Sequence, residues 1–325
     1  PGSIALLPPF RTNSTAIRVS SWPHDTRPLE PPVAVGHPSR VILGPTFAEM
    51  RDPSLLDPSL RESARAARDR PLDPLNLYNI SGKADSKVSF TVLPEALTGV
   101  AAPIVVLCGR GFPTGSHKVG PAYSILIEKQ LEGACDPDAH TLIFPSTGNF
   151  GIGGAWVGPR MGYRSLVVLP EEMSAERFEM IRGYGADVIA TPGSESNVKE
   201  IYDKVRELRV VPENRILNQF EEFANYRFHF HCTAAAALEA AKAIDTPIAA
   251  FVSAPGSAGT IAAAEAIKRR FPNAVTVAAE PRQCPTLYNA GFGAHRIDGI
   301  GAKHGTWFQN VWTTDLRMCV DDGDG

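Results

Sequence analysis

Lys118 closes the segment Pro113-Thr114-Gly115-Ser116-His117-Lys118, which follows the apolar run Ala102–Leu107 and precedes a helical stretch. Farther along come Ser146-Thr147-Gly148-Asn149-Phe150-Gly151 and Gly256-Ser257-Ala258-Gly259-Thr260. A lysine at a helix start meets the positive end of the dipole, and burial disfavours its ammonium form, so both lower its pKa. Such an amine can form a Schiff base with an aldehyde and later act as a base toward carbon. The hydroxyls and amides of Ser146–Phe150 can bind a carboxylate at a helix N-terminus, and the Asn149 amide can donate to a phenolic oxygen. The successive amides and two hydroxyls of Gly256–Thr260 can cradle a phosphate without a cationic side chain. Aldehyde, phenolic oxygen and phosphate belong together in pyridoxal 5'-phosphate. The three segments are therefore expected to hold that cofactor, with Lys118 as its covalent partner.

Each segment also has a plain reading. Lys118 could be a surface residue at a helix start, Ser146–Asn149 an N-cap turn, and Gly256–Thr260 a strand-to-helix turn. The glycines at 256 and 259 do not make the GxGxxG spacing of a dinucleotide fingerprint. His229 and His231 stand two apart in a helical stretch, so they face different ways and make a poor metal pair. No metal site is expected. Cys108 reads as an inert buried thiol, and Gly153-Gly154 as a site of close helix packing.

The elements that must position these loops follow from periodicity. Candidate strands are Ala102–Leu107, Thr141–Phe144, Ser165–Leu169, Asp187–Ala190, Ile216–Asn218, Ile248–Ser253 and Val275–Ala279. Between them lie candidate helices Val119–Leu131, Phe150–Met161, Ala175–Tyr184, Glu195–Leu208, Tyr226–Ala243 and Thr260–Arg270. Alternation of this kind argues for parallel βαβ units and an α/β fold. The strand-to-helix loops then line one carboxyl edge, where open α/β sheets bind ligands. All three motif segments are such loops.

Composition bounds the rest. The 325 residues allow two domains and a large core. With 43% apolar and 21% charged residues the chain reads as globular, and a formal charge of −3 argues against a nucleic-acid partner. Five scattered cysteines form no CxxC pair, so neither a disulfide framework nor a zinc site is indicated, and a reducing cytoplasm is expected. No apolar run approaches the length of a membrane span. Thirteen of the 28 prolines fall in residues 1–74, which removes amide donors and argues against a regular sheet or bundle there. That stretch, with one helix over Pro58–Arg68, is expected to wrap the body or contact a partner, or to be a partly ordered tail.

At this point the chain resembles the fold-type II pyridoxal-phosphate enzymes, in their cysteine synthase / tryptophan synthase β-like branch, from about Leu93 to Val320. Pro113–Lys118 is similar to the family's lysine segment, Ser146–Gly151 to its asparagine loop and Gly256–Thr260 to its phosphate loop. Val168–Ser174 with Gly185-Ala186-Asp187, Leu217–Phe220 with Asn225, and His295–Ala302 match further stretches, the last covering the active-site mouth. The resemblance implies an α/β fold of two open, mostly parallel twisted sheets flanked by helices, preceded by a Pro-rich extension over 1–74. It implies a large cofactor-binding domain over 75–139 and 222–325, and a small mobile domain over 140–221. It implies Lys118 as Schiff-base lysine and base, Asn149 on the phenolic oxygen, and Gly256, Ser257, Ala258, Gly259 and Thr260 around the phosphate. Ser146, Thr147, Gly148 and Phe150 would surround the substrate carboxylate with Gln219 nearby, in a homodimer.

The expected activity is β-replacement on an activated serine of the O-acetylserine or O-phosphoserine type, giving cysteine or a related β-substituted alanine. Several features differ from the family pattern. Val119-Gly120 stand where Asp-Arg is usual. Phe150 replaces a small or hydroxyl residue and is expected to reshape the substrate pocket. The family's final stretch, with the hydroxyl residue facing the pyridine nitrogen, has no counterpart within the 325 residues. These departures keep open β-elimination as in dehydratases, and a diaminopropionate-type synthase. A non-catalytic binding protein on the same fold and a nucleotide-binding oxidoreductase also remain.

Overall fold

The computed structural model describes residues 40–84, 87–146, 148–193, 198–297, 299–301, 305–306 and 309–324. All of them lie in one compact unit, Gly36–Gly325. Residues 1–39, Thr147 of the substrate loop, the start of the helix expected from Glu195, and Asp298 and Ala302 of the covering loop fall outside the described residues.

The chain enters through short helices α1 (Phe47–Arg51) and α2 (Pro58–Ala66), then a turn of 3-10 helix over Ala67–Asp69. Asp57 caps α2 by accepting the amides of Ser59 and Leu60. Met50, Leu56, Ala64 and Ala67 are buried, and Gln130 donates to the Ile42 carbonyl at 3.0 Å. Residues 40–74 thus wrap the body without forming a sheet, as the proline content requires. Strands β1 (Lys83–Ala84) and β2 (Lys87–Val88) pair antiparallel. So do β3 (Phe90–Leu93) and β4 (Ile104–Leu107), with α3 (Glu95–Thr98) between them.

Helix α4 (Val119–Leu131) follows, with the expected bounds, and then come β5 (Thr141–Pro145), α5 (Asn149–Arg160), β6 (Arg164–Pro170) and α6 (Ala175–Gly183). Next are β7 (Asp187–Thr191), α7 (Val198–Arg209) and β8 (Asn214–Ile216). These four strands form a fully parallel sheet in the order β7-β6-β5-β8. Its central strands are buried on both faces, which is why Leu142-Ile143-Phe144 and Val167-Val168-Leu169 read as unbroken apolar runs. On one face Ile201 and Val205 of the amphipathic α7 pack against Ile143 and Val168.

The strand expected over Ile216–Asn218 ends two residues earlier. Leu217 still donates to the Ile143 carbonyl, but the chain then leaves the sheet in a turn that carries Gln219. The helix expected over Tyr226–Ala243 is three pieces: α8 (Phe223–Phe228), a π-helical turn (His229–Thr233) and α9 (Ala234–Ala243). Then come β9 (Ala250–Ser253), α10 (Ile261–Arg270), β10 (Val275–Pro281), α11 (Thr286–Asn289) and β11 (Leu316–Val320). β9, β10 and β11 form a second parallel sheet with β10 in the middle. Strands β1, β2, β3 and β11 were not among the expected elements.

Two helices stand apart because they are buried all round rather than along one stripe. In α4 every residue from Val119 to Leu126 is buried, and in α5 every residue from Phe150 to Gly158. They meet at backbone distance: a Cβ on Gly153 would lie 2.8 Å from the Lys118 carbonyl oxygen and 3.1 Å from the Val119 Cα. Main chain cannot rotate aside as a side chain can, so only glycine fits. Gly153→Ala should therefore destabilise the protein by about 1–3 kcal/mol through overpacking. A lowered urea midpoint with unchanged slope would show it, and an unchanged midpoint would mean that the contact is slack.

Candidate active site

Lys118 is the N-cap residue of α4. Its Nζ donates to Gln219 Oε1 at 2.9 Å and to Ser257 Oγ at 3.3 Å. Both acceptors are uncharged, and no carboxylate of the described residues pairs with the amine. Part of the side chain still faces the cleft, but desolvation by the protein around it lowers its pKa to about 8. A neutral amine has two N–H donors, and both find acceptors here while the lone pair stays free. The third donor of an ammonium has no described partner.

Ser257 belongs to the loop between β9 and α10. Asn225 of α8 donates from Nδ2 to the Gln219 carbonyl at 2.9 Å and to Ser257 Oγ at 3.0 Å. Lys118, Gln219, Asn225 and Ser257 therefore form one network joining the starts of α4 and α8 to the glycine loop. The main-chain amides of Gly256, Ser257, Ala258, Gly259 and Thr260 donate to no described residue. Ala258 holds a left-handed backbone at φ 63, which a residue with a Cβ adopts at some cost. A turn of that kind presents successive amides to one point, ahead of the positive end of α10. Gly259 is hemmed in, since a Cβ there would lie 2.5 Å from Asn225 Oδ1 and 2.6 Å from His229 Cδ2. Thr260 caps no amide with its side chain and instead shares a 2.5 Å hydrogen bond with Ser253. Five amides without a described partner, beside a lysine amine whose pKa is lowered, fit the phosphate and the aldehyde of pyridoxal phosphate.

The asparagine loop lies one helical turn from the lysine, because Asn149 precedes Gly153 by four residues, about 6 Å along α5. Ser146 is buried and its Oγ accepts the Gly148 amide at 3.2 Å. The amides of Asn149 and Phe150 donate to no described residue, which leaves the N-terminus of α5 open to an anion. The Asn149 side chain is exposed and bonds to no described residue, so nothing joins it to the Lys118 network. Phe150 corrects an expectation. Its ring is buried and sits 6.0 Å from Phe144 in the core, so what it offers at the loop is its amide rather than bulk. The covering loop does reach the site, with Gly301 donating to the Pro255 carbonyl at 3.4 Å.

Three residues at the site were not foreseen. Asn225 was visible only through a resemblance. His117 and His229 meet edge to face at 5.0 Å beneath Lys118. His229 is fully buried in the π turn, its Nδ1 2.8 Å from Thr233 Oγ1. The Nε2 atoms of both rings and Asn225 Oδ1 have no hydrogen-bond partner among the described residues. Burial first, then the neighbouring Lys118, pushes His117 down to about 3. Burial, then His117 and Lys118, holds His229 well below its usual range. Both imidazoles are neutral and keep the amine's surroundings dry and uncharged. Their signal in the sequence was weak: a histidine beside the lysine, and one in an apolar helix that gave no hint of a π turn. His231 points elsewhere and stacks on Phe47 at 5.1 Å. Cys108 is half-buried rather than buried, with Sγ 3.7 Å from the Val106 carbonyl, and does not touch the lysine network.

Comparison with known proteins converges on the same chemistry. A family model described as pyridoxal-phosphate dependent enzyme matches residues 95–321. A Bacillus subtilis protein named "Probable cysteine synthase" is 36% identical over 189 residues, which is 58% of this chain and 60% of that protein. The chain therefore spans less than two thirds of that relative. A Staphylococcus aureus cysteine synthase is 34% identical over 226 residues, 68% of this chain and 71% of its own length. Among solved structures, the O-acetylserine dependent cystathionine beta-synthase of Helicobacter pylori matches with a TM-score of 0.65 at 27% identity, covering 73% of this chain and 76% of that one. A hydrogen sulfide-producing enzyme of Fusobacterium nucleatum matches with a TM-score of 0.65 at 26% identity, covering 73% and 77%.

The lowered lysine pKa has a consequence for the cofactor-free protein. Unfolding returns Lys118 to its ordinary value of 10.5, so between about 8 and 10.5 the unfolded chain binds more protons than the folded one. Stability should therefore rise with pH across that window on account of this group. Lys118→Met should stabilise the cofactor-free protein at pH 7 by about 1–2 kcal/mol, less than full burial would give because part of the side chain meets solvent. That gain should fade as pH rises from 8 to 10.5. Denaturant melts of both proteins across this range test it, and a pH-independent difference would contradict a depressed lysine.

Proposed function

Because the chain belongs to the pyridoxal-phosphate-dependent enzyme family, we propose that it is a cysteine-synthase-like enzyme that replaces the β-substituent of an activated serine. The observation that carries this reading is the Lys118 amine, its pKa lowered by burial, within hydrogen-bonding distance of a loop whose five amides have no described partner. Gly256, Ser257, Ala258, Gly259 and Thr260 would hold the cofactor's phosphate, and Asn149 would bond its phenolic oxygen. Lys118 is the covalent partner. When bound, the cofactor supplies an electron sink for the charge left at the substrate's α-carbon.

The amides of Ser146, Thr147, Gly148 and Phe150, at the positive end of α5, receive the substrate carboxylate and fix which bond faces Lys118. The Lys118 amine would take the substrate's α-proton and later return it. Gln219 supports it by accepting from Nζ, which holds the amine in place without charging it. The β-substituent, an acetate or a phosphate, leaves with its bonding electrons, and a nucleophile, most simply sulfide, takes its place. The buried α4 and α5 behind the lysine exclude water that would otherwise compete with the nucleophile. The reading includes a homodimer in the cytoplasm, and a small domain over 140–221 that closes on a large one over 75–139 and 222–325. Among the described residues no helix is long and apolar enough to cross a membrane.

Borohydride reduction of the holoprotein followed by peptide mass spectrometry should place a pyridoxyl adduct on Lys118. Lys118→Ala should lose that adduct and about 10³-fold or more in turnover of O-acetylserine or O-phosphoserine with sulfide. An adduct on another side chain would overturn the lysine assignment. Pyruvate and ammonia as products, with no β-substituted alanine, would replace the reaction by elimination.

A further inference from the structure

Arg160 ends α5, on the side away from the substrate loop, and only 3% of its surface is exposed. Its guanidinium lies 4.1 Å over the Trp156 ring, and Nη1 donates to the Trp156 carbonyl at 2.7 Å. Its buried Nε has no acceptor, and no described carboxylate pairs with it. Burial lowers its pKa to about 10, so it stays protonated at neutral pH. A buried cation without a counter-ion is costly, and such groups are normally paired.

Arg160 lines a cavity of about 790 Å³. The facing wall is Arg61, Arg65 and Arg68, which recur at helical spacing along α2 and the turn after it and so share one face. Lys83 adds a fifth cation, and no aspartate or glutamate lines the space. Lys83 is paired with Glu239 at 2.7 Å, and Arg68 Nε donates to Asn79 at 3.2 Å. Arg61 and Arg65 make no ion pair with a described residue. Asp52, whose carboxylate feels the charges of Lys83 and Arg61, is bonded by Ser54 and does not line the cavity. Trp156 and Tyr184 supply flat apolar surface beside the guanidinium.

None of Lys118, Gln219 or residues 256–260 lines this cavity, so it is separate from the cofactor network. Pro113 of the lysine segment and Gly111 just before it do, which puts an occupant in contact with the stretch that leads to Lys118. We propose that this arginine-lined cavity binds a small organic polyanion, carrying two or more carboxylate or phosphate groups, at a site distinct from those for cofactor and substrate. Guanidinium forks suit both anion types, and the flat aromatic wall leaves room for a carbon skeleton between the charges. The chain's own residues 1–39 have the wrong charge for the task, with three arginines against one aspartate and one glutamate.

The test uses the cofactor-loaded protein, so that the glycine loop is already filled. Citrate and pyrophosphate are titrated separately by calorimetry at low ionic strength, and the tighter of the two identifies the anion chemistry. At least one should bind saturably at one site per chain. Arg160→Met should weaken that binding about tenfold or more, as expected for loss of a charge-assisted contact. The same variant should melt higher than the parent without ligand and lose the ligand-induced rise in melting temperature. Arg65→Ala and Arg61→Ala, on the open helix face, should each weaken binding severalfold and keep the test alive if Arg160→Met does not fold. The proposal is overturned if neither anion binds up to millimolar concentration, or if all three variants bind like the parent. It is also overturned if sodium chloride at matched ionic strength reproduces the stabilisation, or if the variants change only the oligomeric state.

Discussion

A lysine amine surrounded by uncharged oxygens and dry imidazoles is the constraint on which the rest of this structure depends. Lys118 meets Gln219 and Ser257 and no carboxylate. In water an ammonium would be solvated by three or more acceptors; here only two are provided, and both can be met by the neutral amine. Paired carboxylates would have raised the pKa and abolished nucleophilicity at neutral pH. The neutral histidines at 117 and 229 extend the same principle one layer further. They fill space beneath the amine with rings that burial keeps uncharged.

Holding that amine still is a task of main chain rather than of side chains. Helices α4 and α5 are buried on every side and touch at backbone distance where Gly153 meets the Lys118 carbonyl. An amphipathic helix fixes only one face, whereas a helix packed all round has no direction in which to drift. The glycine loop is held by different means. Asn225 ties Ser257 to the Gln219 carbonyl, and the π turn pushes His229 against Gly259. Local distortions of this kind, a π turn and a left-handed Ala258, persist only where surrounding packing over-determines them, and they gather at functional sites.

Two basic features of the molecule contrast instructively. At the glycine loop an anion would be bound by amides alone, which concentrates partial charges without burying a full one. At the end of α5 a whole guanidinium is buried with no counter-ion among the described residues, beside three more arginines. The same helix thus presents its positive end to the substrate loop and a cation at its negative end, where the dipole favours one. The two ends of α5 face different spaces, and the lysine segment borders both.

Much of this was readable from residue order alone. Strand and helix runs alternate with a clear change of period, so the parallel sheets, the bounds of α4 and the loop positions of Lys118, Ser146–Gly151 and Gly256–Thr260 followed from local pattern. These are properties of short segments, set by periodicity and turn chemistry. What the pattern could not reach were features that exist only through distant partners. β11 is a strand because β10 offers it a ladder, and β3 because β4 does. The turn that lifts Gln219 out of β8, the π turn that buries His229 and the burial of Phe150 away from the pocket were decided by packing. So was the pairing of Arg160 with a ring instead of a carboxylate. The chemistry of the groups was written in residue types, but whether an amine's pKa is lowered or a cation is left unpaired depends on what lies within a few ångströms. Only the folded chain supplies those neighbours, for Lys118 from residues a hundred or more positions away.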